Sequence, residues 1–459
     1  MVRMHTLLTL GALATLATSA AADAPHYRAT ILWDSTTDET IAQSVNRAGS
    51  SAGYLIDWGG GAGTHVGAFA ALPDGTVTPI DVPTTFDSTA DALNDRGAVA
   101  GTFSLGAQYN SPRRLYRYTP QTGCVDLGVL GGALGSVADM NNHGDILGSW
   151  LDSTGTNRVF LYTDAEGWRA IGTVTNDQVQ PTDMNDRGDI VGNYWRYDDG
   201  YRAWHWRDGV QTDMGDLGGN ETRVYYVNAQ GVAVGGAQMP DGSWCAFRWT
   251  IESGMTALPL LPGATTSRAN WITDTGLIGG IQQIGTSAFS GYRAFIYSDA
   301  TGLVDLGVEL GTDWDSPVAM NDAGAAVFKT FEASAYEVTP FVYSPEFGTH
   351  DLNAVIDGDF PYVLQDVSGV NACGEITAIA LQVNGASVDP QSVSVLLSPI
   401  LTGDLDGDSD VDLADYARLQ ANITTTTGAT PEQGDLDGDG DVDAADAQSL
   451  IAALHAPCR

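Results

Sequence analysis

Two short segments near the C-terminus carry carboxylate side chains at alternate positions. They run from Asp404 to Asp415 and, 31 residues later, from Asp435 to Asp446. Read as twelve-residue loops, they place aspartates at positions 1, 3, 5, 7, 9 and 12: Asp404, Asp406, Asp408, Asp410, Asp412 and Asp415, then Asp435, Asp437, Asp439, Asp441, Asp443 and Asp446. Hard oxygen ligands at this spacing suit Ca²⁺, which accepts roughly six to eight of them at about 2.4 Å. The pattern predicts two calcium ions.

The positions within each loop are expected to differ in role. Position 7 of a calcium loop supplies its backbone carbonyl, so Asp410 and Asp441 are predicted to turn their side chains outward. The last position can bind the ion through both carboxylate oxygens, which makes Asp415 and Asp446 the strongest ligands. Because like charges repel when no cation is bound, we expect folding of the tail to require the ion.

A short apolar helix is predicted after each loop. The apolar positions are Tyr416, Leu419 and Ile423, then Leu450, Ile451 and Leu454, and the two loops should pair through Val411 and Val442. Loop and helix occur twice without a helix before the first loop, and position 12 is Asp rather than Glu. The segment 401–459 therefore resembles the type I dockerin module, a small α-helical, EF-hand-like domain, rather than a full pair of EF-hands.

That resemblance implies a partner. Dockerins dock secreted proteins onto cohesin domains, often within assemblies that degrade polysaccharides. Positions 10 and 11, commonly Ser-Thr in dockerins that bind such scaffolds, are Leu413-Ala414 and Ala444-Ala445 here. This departure leaves open whether the partner is a cohesin-like domain or another extracellular protein.

The long segment that precedes the tail repeats a turn of the form Asn-x-x-Gly. Copies begin at Asn46, Asn94, Asn141, Asn185, Asn228, Asn321 and Asn371, and Thr273 begins a degenerate copy. Asn suits such turns because its side chain bonds to the local backbone. Successive glycines lie 43 to 50 residues apart, which gives eight units of nearly constant length.

Most units also contain an aromatic-rich strand with a period of two, as in Ala203-Trp204-His205-Trp206 and Ala246-Phe247-Arg248-Trp249. Each unit then holds about four short strands, whose apolar face is buried only by stacking on neighbouring units. We predict an all-β array over residues 23–400: an eight-bladed β-propeller, with seven blades or an open solenoid as alternatives. The segment from Thr30 to Trp33 should close the ring beside the strand near Ser392–Ser398.

The repeats resemble the extracellular HAF repeat family, named for a His-Ala-Phe strand between an Asn-x-x-Gly turn and Asp-Leu-Gly-x-Leu-Gly-Gly. The run from Asp126 to Gly132 matches the last element, and Ala294-Phe295-Ile296-Tyr297 matches the strand without its His. The resemblance covers most of residues 41–400. It implies a secreted, repeat-built protein and no particular activity.

The start of the chain and its charge restrict the location and the partners. Residues 1–22 show a basic start, a short apolar run and small residues, which predicts a secretory signal peptide cleaved after Ala22, with Ala24 as the alternative. The apolar run is too short to span a bilayer. A formal charge of −37 argues against nucleic acid and anionic membranes.

Four cysteines are too few for a disulfide scaffold, but an exported chain can oxidise them. They are Cys124, Cys245, Cys373 and Cys458. Three full pairings are possible, and Cys373 with Cys458 is favoured because Cys373 lies closest in sequence to the tail. Free, partly buried thiols are the alternative.

No catalytic motif stands out in the repeats, so we predict a secreted, non-catalytic binding protein. A nucleophile elbow, a zinc-binding helix and a phosphate loop are missing from the sequence in any suitable context. The alternative is a carbohydrate-active enzyme, which should show a central pocket with converging carboxylates of shifted pKa. A binding module should instead present tryptophans and tyrosines, and candidates for glycan stacking are Trp58, Trp195, Trp244, Trp271 and Trp314.

Overall fold

The computed structural model describes residues 24–32, 38–57, 65–84, 86–106, 111–129, 135–172, 178–197, 200–285, 291–310, 319–332, 337–382, 392–406, 411–423, 429–430, 433–436 and 441–453. These residues form eight four-stranded antiparallel sheets and two short C-terminal helices. The protein is an eight-bladed β-propeller, as predicted. Among the described residues, no helix has the length and apolar character needed to cross a membrane.

The strands follow one another in chain order within each of the first seven blades. The first strand of the chain is β1 (Tyr27–Ile31). Blade 1 contains β2 (Asp38–Val45), β3 (Ser51–Asp57), β4 (His65–Ala71) and β5 (Val77–Pro79), and blade 2 contains β6 (Ser88–Leu93), β7 (Val99–Ser104), β8 (Arg113–Thr119) and β9 (Gly123–Gly128). Blade 3 contains β10 (Gly135–Met140), β11 (Ile146–Leu151), β12 (Asn157–Thr163) and β13 (Gly167–Ile171). Blade 4 contains β14 (Gln178–Met184), β15 (Ile190–Arg196), β16 (Gly200–Arg207) and β17 (Val210–Asp213).

The remaining blades and the tail complete the architecture. Blade 5 contains β18 (Thr222–Val227), β19 (Ala233–Gln238), β20 (Trp244–Thr250) and β21 (Gly254–Ala257). Blade 6 contains β22 (Ala264–Ile272), β23 (Ile278–Ile284), β24 (Tyr292–Ser298) and β25 (Gly302–Leu310). Blade 7 contains β26 (Ala319–Met320), β27 (Ala326–Glu332), β28 (Glu337–Ser344) and β29 (Gly348–Asp351). A 3₁₀ turn (Leu352–Ala354) leads to β30 (Tyr362–Val370), β31 (Ile376–Gln382) and β32 (Ser392–Pro399), and the tail holds α1 (Leu413–Asn422) and α2 (Ala444–Ala453).

Strand β1 completes blade 8, where the sheet order is β1-β32-β31-β30. Thr30 lies opposite Leu396 and Ile31 opposite Val395, so the predicted closure is confirmed; Trp33 lies outside the described residues. Tyr27 is buried against the blade 8 core. The two ends of the propeller domain are thus joined in one sheet, which removes the open edge of an unclosed array.

The Asn-x-x-Gly turns join the first and second strands of each blade. In blade 5, the side-chain oxygen of Asn228 accepts hydrogen bonds from the backbone N–H groups of Gln230 and Val232, and Gly231 adopts a φ of 80°. A positive φ favours glycine because other side chains clash with the backbone there. The predicted turn-forming role of Asn is confirmed.

The same asparagines also connect neighbouring blades, which the sequence did not predict. In six turns the side-chain amide donates a hydrogen bond to the carbonyl at the equivalent position of the next blade, at 2.8 to 3.0 Å: Asn46 to Asn94, Asn94 to Asn141, Asn185 to Asn228, Asn228 to Thr273, Asn321 to Asn371 and Asn371 back to Asn46. Aspartate forms a similar turn but has no side-chain N–H to donate. The Asn side chains therefore join the turns around the ring.

Five of the aromatic-rich strands place an aromatic residue opposite a glycine of the neighbouring strand. The opposed pairs include Gly101 with Tyr116, Gly148 with Phe160, Gly192 with Trp204, Gly235 with Phe247 and Gly280 with Phe295. Tyr116, Trp204, Phe247 and Phe295 are almost fully buried. A glycine is required at these positions because a Cβ atom would overlap both the ring and a carbonyl of the innermost strand.

Replacing Gly235 with alanine is expected to lower the free energy of unfolding by about 3 kcal/mol, since overpacking forces backbone and side chains apart. The added Cβ would overlap the carbonyl oxygen of Arg223 and lie 2.8 Å from a ring carbon of Phe247. Thermal unfolding followed by circular dichroism measures the effect. Gly67→Ala is the control, because its Cβ meets only Leu55, at 3.4 Å. Equal shifts for both variants would contradict this explanation.

Candidate metal centres and the central cavity

The acidic loops of the tail bring carboxylates together in two places. Side-chain oxygens of Asp404, Asp406 and Asp415 lie within 4.8 Å of one another, and those of Asp441, Asp443 and Asp446 form a second group of the same size. The two groups belong to the first and the second predicted loop. Each offers three carboxylates to one point, which suits a hard divalent cation.

Asp415 is the centre of the first loop. Its side chain is fully buried, and one oxygen accepts the backbone N–H groups of Leu405 at 2.6 Å and Asp406 at 3.0 Å. The other oxygen accepts the N–H of Asp412 at 2.7 Å, while Asp412 caps α1 by accepting the N–H of Ala414. One carboxylate thus fixes both the start of the loop and the start of the helix.

Asp446 repeats this arrangement in the second loop. It is fully buried and accepts the backbone N–H groups of Leu436 and Asp443, both at 2.7 Å. Asp443 in turn accepts the N–H of Ala445 at 2.7 Å, close to the start of α2. Hydrogen bonds from backbone N–H groups hold a carboxylate in place. The two position 12 aspartates are therefore ordered to present an oxygen to a cation.

The other predicted ligands are placed less uniformly. Asp435 is buried in the second loop, and Asp408, Asp410, Asp437 and Asp439 lie outside the described residues. The prediction that Asp441 points outward is wrong, because its carboxylate belongs to the second group. The positive end of the α2 dipole attracts anionic side chains to this point. The residues present fit a calcium ion in each loop.

A small core holds the two loop–helix units together. Val411, Leu419, Val442 and Leu450 are buried in one cluster, so the loops pack against each other through the two predicted valines. Two of the apolar positions, Ile423 and Ile451, do not belong to this core. Both are about half exposed, because α1 ends at Asn422 and only one of two consecutive residues in α2 can face the core. Leu454 lies outside the described residues.

The propeller brings two carboxyl groups together near its axis. Asp139 on β10 and Asp183 on β14 hydrogen-bond to each other. Burial, and then the negative charge of Asp139, raise the pKa of Asp183 well above its usual range. We infer that the pair shares one proton, as expected when two carboxyl groups meet away from water.

This pair lies in a central cavity, where an enzyme was expected to carry converging carboxylates. The geometry of the Asp139–Asp183 pair differs from that of a glycosidase active site, where the two carboxyl groups stand roughly 5 to 9 Å apart around the scissile bond. Here the groups contact each other, and each also accepts a backbone N–H from the next blade, Asp139 from Met184 and Asp183 from Val227. These contacts show a blade-bridging arrangement.

The tryptophans proposed as glycan platforms fall into different settings. Trp271 stacks on Tyr226 in the central cavity, with ring centroids 4.0 Å apart. Trp244 lies beneath the guanidinium groups of Arg223 and Arg268. Trp195 is 38% exposed, and Trp58 and Trp314 lie outside the described residues. The described tryptophans therefore do not form one common platform.

The cysteines divide into free and bonded residues. Cys373 is disulfide-bonded, whereas Cys124 and Cys245 are free thiols. The favoured partner of Cys373, Cys458, lies outside the described residues. Burial raises the pKa of Cys124 to about 11, which makes this thiol a poor nucleophile.

Solved structures with similar folds include propellers of several enzymes. The β-propeller domain of the Trilobed protease from Pyrococcus furiosus aligns with a TM-score of 0.47 and 11% identity, covering 79% of this chain and 94% of that domain. An acylaminoacyl peptidase from Pyrococcus horikoshii aligns with a TM-score of 0.45 and 9% identity, covering 76% of this chain and 59% of the peptidase. The search of curated proteins gives no match.

The tail gives a match to a family model. Residues 402–455 match the dockerin type I domain, and both carboxylate groups lie within this range. Dockerin domains bind calcium and cohesin partners, in agreement with the carboxylates described above. The chain is therefore an eight-bladed β-propeller protein that carries a type I dockerin domain.

Proposed function

We propose that this protein is a secreted, non-catalytic binding and assembly protein, whose dockerin domain attaches the propeller to a cohesin-like partner when two calcium ions are bound. The observation that carries the proposal is the pair of carboxylate groups built around the buried Asp415 and Asp446. The six aspartates of each loop are the proposed ligand set. Calcium supplies the positive charge that lets these carboxylates share one loop.

Two further observations support a role outside the cell. The sequence of residues 1–22 has the layout of a signal peptide, and Cys373 is disulfide-bonded, which is typical of proteins in oxidising compartments. A link to polysaccharide-degrading assemblies rests on the dockerin alone.

The partner-binding face is proposed to include Leu413. This first residue of α1 is 74% exposed, at a position where dockerins commonly carry serine. An exposed leucine on a helix surface favours an apolar contact on the partner. We therefore expect a cohesin-like domain whose contact surface is less polar than usual at this point.

Binding of the full chain to a panel of cohesin domains, measured by surface plasmon resonance with and without a calcium chelator, tests the proposal. We expect binding that falls by at least about 100-fold without calcium, because the helices that carry the contact lose their support. Leu413→Ser should weaken binding about tenfold. Gln420→Ser, an exposed change on the same helix, is the control. Calcium-independent binding, or binding to no cohesin, would contradict the proposal.

A carbohydrate-active enzyme is the second candidate, because Asp139 and Asp183 do meet in a central cavity. The direct contact between their carboxyl groups leaves no space for a sugar between them, so this geometry supports binding more than hydrolysis. Release of reducing ends from a panel of polysaccharides, abolished by Asp183→Asn, would establish the enzyme instead.

A further inference from the structure

The innermost strands share a β-bulge just before their turns. In seven blades the register shifts by one residue, and the residue after the shift stands two positions before the turn Asn or Thr. These residues are Ser44, Ala92, Asp139, Asp183, Tyr226, Trp271 and Gly369; the equivalent residue of blade 7 is Ala319. A bulge turns a side chain to a new direction, so this position is repeated around the propeller axis.

The residues at this position differ sharply between the two halves of the ring. Blades 3 to 6 carry Asp139, Asp183, Tyr226 and Trp271, whereas the other four blades carry only serine, alanine or glycine. Because the same bulge forms with small residues, the fold does not require large or polar groups here. The asymmetry therefore indicates a site built on one side of the axis.

A cavity of about 340 Å³ lies against these four residues. Tyr226 and Trp271 form a stacked aromatic pair in its wall. The turns of blades 2, 4, 6 and 7 add Asp95, Asp186, Asp274 and Asp322, and the described lining residues include no Lys or Arg. A cavity with aromatic and anionic walls attracts a ligand that is both apolar and positively charged.

The placement of the turn aspartates favours an organic cation over a metal ion. Each accepts a backbone hydrogen bond from the turn of the preceding blade: Asp95 from Arg47, Asp186 from Asn142, Asp274 from Ala229 and Asp322 from Thr275. They lie on separate blades, and Asp95 and Asp186 both accept the side-chain amide of Asn142, at 3.1 and 3.2 Å. Within the described part of the chain, the groups of three or more carboxylates close enough to share a metal ion are those of the tail.

We propose that the central cavity binds a small organic ammonium ion, with its charge toward the turn aspartates and its apolar part against Tyr226 and Trp271. This site goes beyond the docking role of the tail and does not depend on it. The ligand volume is limited to that of a small molecule or one side chain of a larger one.

A matched pair of probes tests the charge requirement. Phenethylammonium and its neutral analogue 2-phenylethanol are titrated into the full chain, with calcium present so that the tail stays folded, and binding is measured by calorimetry. We expect phenethylammonium to bind at least tenfold more tightly. Equal affinity for the two, or binding of neither, would overturn the proposal.

Charge-removing variants test the location. Asn142 already occupies the turn position in blade 3 and accepts the N–H of Asp95 at 2.9 Å, so asparagine preserves this turn. The triple variant Asp186→Asn, Asp274→Asn and Asp322→Asn should weaken phenethylammonium binding at least tenfold with an unchanged thermal midpoint. Unchanged affinity would overturn the assignment.

The aromatic wall is tested separately. Trp271→Ala should weaken phenethylammonium binding about tenfold, whereas Trp195→Ala, an exposed tryptophan that does not line the cavity, should leave it unchanged. Equal effects of the two variants would place the ligand elsewhere and overturn the proposal. The thermal midpoint of Trp271→Ala is measured in parallel, and the triple variant decides the outcome if this variant does not fold.

Discussion

Replacing Asp446 with alanine is expected to unfold the second loop of the dockerin domain and to remove one of two calcium-binding events. The side chain is fully buried and accepts two backbone N–H groups at 2.7 Å. Without it, those groups lose their partners and the metal group loses one of three carboxylates, at a cost of about 3 to 5 kcal/mol. A tail core of four buried side chains cannot offset that loss.

Calcium titration of the full chain by calorimetry measures this effect. We expect one binding event to weaken by at least about 100-fold, and backbone amides of residues 441–453 to lose protection from hydrogen exchange. Asp415→Ala should produce the equivalent loss in the first loop, and calcium removal should affect both. Gln448→Ala, an exposed change on α2, is the control. Calcium affinity unaffected by Asp446→Ala would refute the proposed ligand set.

Deletion of residues 24–32 is expected to open the propeller and lower its thermal midpoint by about 10 °C. The deletion removes β1, exposes the edge of β32 and leaves the blade 8 core without Tyr27. Tyr27 and Leu32 are 5% and 2% exposed, and burial of two such side chains together with the strand pairing contributes about 5 kcal/mol. Scanning calorimetry measures the shift, and aggregation through the free edge is expected.

Two proline substitutions in β1 separate strand pairing from chain length. Leu32 donates its N–H to Ser394 and Ile400 donates to His26, so the alternation of an antiparallel ladder turns the N–H of Thr30 toward β32 and that of Ala29 away. Thr30→Pro should therefore lower the midpoint by several degrees more than Ala29→Pro. Equal stability of these two variants would mean that the pairing does not close the ring.

The repeat architecture could be predicted because its signals are local. A few residues are enough to indicate a turn, as in Asn228–Gly231, or a strand, as in Ala246-Phe247-Arg248-Trp249. The spacing of the repeated turns then predicts the number of blades. The role of the N-terminal strand could be predicted because the eighth repeat has no fourth strand of its own. Carboxylate spacing in the tail indicated calcium for the same reason, since a loop holds its ligands within twelve residues.

Contacts between blades could not be predicted in this way. The hydrogen bond between Asp139 and Asp183 depends on two bulges that face each other across 44 residues, and no local pattern distinguishes these aspartates from many others. The Asn amide bridges had a usable signal: aspartate forms the same turn but has no N–H to donate, so the repeated choice of asparagine indicates a need for an amide donor. The predicted outward orientation of Asp441 was wrong because the rule that position 7 binds through its backbone carbonyl takes no account of the adjacent helix dipole.

The use of the first strand to finish the last blade has a consequence for synthesis. A ribosome adds about 5 to 20 residues per second, so β1 emerges roughly 20 to 70 s before β32, its partner in the sheet, has been made. During this interval seven blades can form one after another while the N-terminal strand stays unpaired and open to wrong partners. Completion of the ring is thus expected to be the last step in folding of the propeller domain, and its timing is set by the length of that domain.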